Sequence, residues 1–124
     1  MAATNYGGVL ANDATTGIGY TTGAGSAVTQ ATSRTTGVTI NAVSGAITLV
    51  SAAGSTSPAS FTVTNSAVAA TDTVVLNVKS GTDNRIAIVT AVGSGSFQVT
   101  TYTTSGTTTE QPVINFTVIK GVAS

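Results

Sequence analysis

ASFTVTNSAVAATDTVVLNVKS, residues 59–80, is the stretch whose reading decides the fold. Phe61 and Val63 alternate with Ser60, Thr62 and Thr64. Further on, Val74, Leu76 and Val78 alternate with Thr73, Val75, Asn77 and Lys79. Alternation with period two sends one set of side chains to a buried face and leaves the other set more exposed, so both runs read as strands. Asn65-Ser66 and Thr71-Asp72 flank a small-residue link between them, which reads as a turn or a single helical turn.

The same pattern repeats on either side. Toward the C-terminus, residues 80–84 form a polar turn, and Arg85 to Val92 is a strand with Ile86 and Ile88 on one face and Ala87 and Val89 on the other. Gly93-Ser94-Gly95 is a tight reversal, because glycine reaches positive φ without steric cost. Ser96 to Thr103 returns, Ser105 to Thr109 is a hydroxyl-rich loop, and Pro112 opens a last strand. In that strand Ile114, Phe116 and Val118 oppose Val113, Asn115, Thr117 and Ile119. Apolar residues on both faces predict cover on both sides, the outer one from a second subunit. Toward the N-terminus, strands are expected at Ala27–Ser33, Gly37–Asn41 and Ala46–Val50, with a turn ending at Gly45 and a loop over residues 52–58. About eight short strands at this spacing, no segment of helical period and a heavy load of Thr, Val and Ile predict an all-β fold. The expected form is a single β-sandwich, jelly-roll-like, over residues 26–124.

Residues 1–25 differ. They are rich in Gly, Ala, Thr and Asn, with isolated larger side chains at Tyr6, Val9, Leu10, Ile18 and Tyr20 and no sustained period. Such a segment cannot build a core of its own. It is read as an extended N-terminal arm that lays those five residues on a neighbouring subunit. Arg34, between the first two expected strands, is either a solvated turn residue or a contact to a neighbour's carboxylate, for which its planar fork of donors is suited.

Composition narrows the function. The 124 residues suffice for one domain with one core. Charged residues make up only 6%, four basic and four acidic, so the formal net charge is zero; a usual soluble chain carries ~25%. With a mean hydropathy of +0.37, this neutrality favours association. No cysteine and no histidine are present, which removes the thiolate, the commonest general base and the commonest metal ligand. Lys79 and Ser80 are strand neighbours that point to opposite faces, so they make no catalytic pair. Asp72, Asp83 and Glu110 fall at expected turns and Asp13 in the arm, which leaves no acid pair and no calcium loop. Gly23-Ala24-Gly25-Ser26-Ala27-Val28 lacks the third glycine and the helix of a dinucleotide fingerprint. No catalytic residue, cofactor or metal is therefore expected. Four scattered basic residues make no footprint for nucleic acid. No stretch approaches ~20 apolar residues, and the start lacks the pattern of a secretory signal, so neither a membrane span nor export is expected.

Three segments carry a resemblance. GAGSAVTQATSRTTGVTIN (23–41), SFTVTNSAVAATDTVVLNV (60–78) and NFTVIKGV (115–122), together with Gly95-Ser96-Phe97, resemble recurrent segments of small tailed-bacteriophage virion proteins. They span most of residues 20–123 and are similar to head decoration, or cement, proteins. The resemblance implies a small β-rich subunit, commonly a homotrimer, that sits on the outside of a capsid and braces neighbouring major capsid proteins. It implies a virion location and no catalytic motif. Related sequences also resemble tail-fibre domains, which implies as the alternative a receptor-binding module for host surface glycans.

Overall fold

The computed structural model describes residues 13–15 and 17–123. Among these residues there are ten strands and no helix: β1 (Gly25–Thr29), β2 (Val38–Thr39), β3 (Ser44–Thr48), β4 (Ala52–Ala53), β5 (Ala59–Thr64), β6 (Thr73–Ser80), β7 (Arg85–Gly93), β8 (Ser96–Thr103), β9 (Thr109–Glu110) and β10 (Val113–Ile119). Eight of them build two four-stranded sheets, in the order β1-β3-β10-β6 and β2-β5-β8-β7, while β4 and β9 form a short separate ribbon. The protein is all-β, as its sequence predicts, and its two sheets form a sandwich. Most neighbours are antiparallel, but β1 joins β3 and β2 joins β5 in parallel. The sheets are thus mixed.

The alternation read from the sequence selects the buried face. In β10, Ile114, Phe116 and Val118 are buried, and the register sets Phe116 beside Gly45 of β3 and Leu76 of β6. In β5 and β8, Phe61, Val63, Phe97 and Val99 are buried from the other side. The two layers meet at Phe97 and Phe116, whose ring centroids lie 5.5 Å apart at 54°, a tilted contact favoured by the ring quadrupoles. Ile47, Leu49, Val38, Ile40, Val68 and Val74 complete this one core. Gly45 is small for a reason: a Cβ there would lie 2.6 Å from the Ser26 carbonyl oxygen of β1 and 2.8 Å from Ile40 Cδ1.

Several elements differ from expectation. The first strand begins at Gly25 and ends at Thr29, because Gln30 turns inward, where Nε2 donates to the Thr36 carbonyl at 2.9 Å and Oε1 accepts from Val50 N at 3.3 Å. The third strand starts at Ser44, where a turn was expected, since the backbone pairs with both β1 and β10 there. The link between β5 and β6 is two turns, closed by Val68 N to Asn65 O and Asp72 N to Ala69 O. Asn65 is fully buried in that link. Its Nδ2 donates to Ala42 O at 2.7 Å, and its Oδ1 accepts from Ala67 N at 2.9 Å. The β7–β8 hairpin reverses at Ser94-Gly95 as expected, with φ +80° at Gly95. Its tip is tied to the same link by Asn65 N to Gly95 O and Gly95 N to Val68 O.

Candidate functional site

Four of the eight charged residues gather at one end of the sandwich. The loop into β7 brings Asp83 and Arg85, β9 brings Glu110, and the turn after β1 brings Arg34. Their bonds are mostly to backbone. Glu110 accepts from Thr82 N and, at 3.2 Å, from Asp83 N. These amide bonds, foremost the one from Thr82, hold its carboxyl below its ordinary pKa against the opposing effect of burial. Asp83 accepts from Thr108 N at 2.9 Å and from Thr108 Oγ1 at 2.8 Å. The carboxylates therefore pin the loops around residues 80–84 and 104–110 to one another.

Arg34 works in the same way. Its Nε donates to Val50 O at 2.9 Å, and its Nη2 donates to Ala52 O at 2.9 Å and Glu110 O at 3.0 Å. It thus clamps the β4–β9 ribbon of its own chain. Burial lowers its pKa, the nearby Arg85 adds to that, and Glu110 opposes it. Arg85 is placed otherwise. Its Nη1 donates to Thr101 Oγ1 at 3.1 Å, while Nε and Nη2 lie out of solvent with no hydrogen-bond partner. Burial depresses its pKa as well, and Glu110 and then Asp83 oppose the shift. Both guanidinium groups line a cleft of about 270 Å³ bordered by Ser55, Ser57, Thr101 and Tyr102.

A second candidate lies on the outer face of the β1-β3-β10-β6 sheet. Ile18 and Tyr20 meet Thr117, Ile119 and Lys120 around an open groove of about 380 Å³. Tyr20 donates its hydroxyl to the Val118 carbonyl, which fixes the segment before β1 against β10. Ile18 is 78% exposed and Ile119 53% exposed. Val75 of β6, paired with Thr117, adds a further exposed apolar side chain to this face. On the opposite sheet, Ile86 and Ile88 of β7 also face outward. Large apolar residues thus stand on both outer surfaces of the sandwich.

Of the residues expected to touch a partner, Tyr6, Val9 and Leu10 lie outside the described residues. Ile18 and Tyr20 come together on the outer face, and Arg34 lies at the polar end beside the β4–β9 ribbon. In sequence Arg85 reads only as the opening residue of a strand, because the residues that share its cleft, such as Ser55 and Ser57, come some thirty residues earlier in the chain. Among the described residues, no cluster of three or more acidic side chains could hold a metal ion. No protein-family model, no curated protein and no solved structure matches this chain.

Proposed function

We propose that this chain is a structural virion protein that decorates the outside of a bacteriophage capsid as a homotrimer and braces the major capsid proteins beneath it. The observation that carries the reading is the pair of apolar outer surfaces, Ile18, Tyr20, Val75 and Ile119 on one sheet and Ile86 and Ile88 on the other. Apolar side chains exposed in groups mark surfaces made for contact, and a chain with so few charges lacks the usual means of staying dispersed. Two opposed surfaces suit a subunit set between molecules, with copies of itself on one side and the shell on another. The resemblance of residues 23–41, 60–78 and 115–122 to decoration proteins supplies the identity of the shell. The segment before β1 then serves as the tie to adjacent subunits. Binding only to the assembled shell stabilises it by mass action.

The test is to mix the purified protein with undecorated capsids and sediment them. The expected result is saturable co-sedimentation at a stoichiometry of three per site, with a trimer by light scattering. Binding to host cells or their surface polysaccharide, with none to capsids, would instead place the chain in a tail fibre and overturn the proposal.

A further inference from the structure

We propose that the cleft beside Arg85 is a carboxylate-binding site, in which the side-on fork of Arg85 takes both oxygens of one carboxylate group. The two donors without partners are Nε and Nη2, which are the pair on one edge of the guanidinium plane. That edge matches the spacing of carboxylate oxygens and binds them bidentately. Arg34 shows the alternative in the same place: its Nε and Nη2 edge is closed by carbonyls of Val50, Ala52 and Glu110.

No carboxylate among the described residues closes the edge of Arg85. The ion pair of Lys120 with Asp72 lies elsewhere. Glu110 and Asp83 are near enough to act on Arg85 through space, but their oxygens bind Thr82, Asp83 and Thr108. Burying charged donors without partners is costly, and an incoming anion recovers that cost. The cleft provides room: about 270 Å³ lies beside Arg85, walled by hydroxyl-bearing Ser55, Ser57 and Tyr102. The free edge has no accessible surface where it stands, so a turn of the guanidinium toward the cleft presents it to a ligand. The site stands whether or not the chain decorates a capsid, and on a virion its carboxylate would come from an acidic side chain of the adjoining protein.

The experiment uses the whole chain and sodium acetate, with sodium chloride and sodium phosphate at matched ionic strength. Acetate is expected to shift the Arg85 Nε–Hε resonance saturably and to raise Tm above the chloride control. Arg85→Met removes the charge and keeps the bulk, a change that buried ions often tolerate; it is expected to fold and to lose the acetate response. Arg85→Lys keeps the charge without the fork and is expected to respond to acetate and chloride alike, which serves if the methionine variant does not fold. Absence of a saturable Nε shift in the wild type, or a Tm rise in acetate above the chloride control that persists in either variant, overturns the site. A phosphate response as strong as that of acetate overturns the carboxylate assignment.

Discussion

Asp72 shows how much one carboxylate holds in place. Its Oδ2 accepts from Ala69 N at 2.8 Å and from Lys120 Nζ, and its Oδ1 accepts from Gly121 N at 3.2 Å. The Ala69 amide is the main cause of its lowered pKa, followed by Lys120. Glu110 is lowered in the same way by Thr82. A carboxyl whose folded pKa lies below its unfolded value stabilises the fold above that unfolded value, about 3.9 for Asp and about 4.3 for Glu, and the contribution is lost as pH falls through the folded pKa. The urea midpoint should therefore stay level from about pH 7 to about pH 5 and fall below about pH 4. In a double variant, Asp72→Asn with Glu110→Gln, the midpoint at neutral pH should drop and the acid-side decline should flatten. A decline as steep as in the wild type would assign acid sensitivity to other groups. Gly45 gives a steric test at the same scale. Gly45→Ala sets a Cβ against the Ser26 carbonyl of a paired strand, which has little freedom to withdraw. The expected loss is about 1–3 kcal/mol in urea unfolding, the usual cost of overpacking.

At the scale of elements, β10 matters most because it lies inside its sheet, paired on both sides, and carries three buried residues. Phe116→Ala should cost about 3–5 kcal/mol, measured as a shift in urea midpoint with m unchanged. Its outward neighbour behaves differently. Ile119→Thr should leave the unfolding midpoint nearly unchanged while weakening self-association and capsid binding; an unchanged affinity would remove the groove from the proposed interface. The strands that could be read from sequence are those with long alternation, β5, β6, β7, β8 and β10, where period two survives six or more residues. The short ones were less legible. β2, β4 and β9 have two residues each, too few to show a period, and exist because a partner strand is there to bind them. Nor did alternation tell which face of β7 is inward: the smaller Ala87 packs on the core and the larger Ile86 and Ile88 face out. Buried Gln30 reads in sequence as part of a strand and buried Asn65 as an ordinary turn residue, since partners of each lie in distant segments. The polar end was unreadable for the same reason, because four charges spread over residues 34 to 110 meet only once the loops close.

For the whole molecule, sequence and structure agree on a β-sandwich with one core, and charge is sorted by position. Four charged residues crowd one end, Asp72 pairs with Lys120 near the turn after β5, and exposed large apolar residues stand on both outer faces. An assembly held by such faces should resist salt, because the forces are not ionic. The oligomer should therefore persist by light scattering when salt is raised from about 0.1 M to about 1 M, a range over which screening shortens from ~10 Å to ~3 Å. Dissociation at high salt would point to charge-held contacts, the arginine cleft among them.

The placement of β10 also orders events in time. It fills the gap between β3 and β6, so neither half of that sheet has its neighbour until residues 113–119 have left the ribosome. A nascent chain halted before Pro112 would hold two unzipped strands and a bare row of Ile47, Leu76 and Phe97, and would be prey to proteases. Closure of this sheet is thus coupled to the synthesis of residues 113–119, and only molecules that have received β10 can present its outer face.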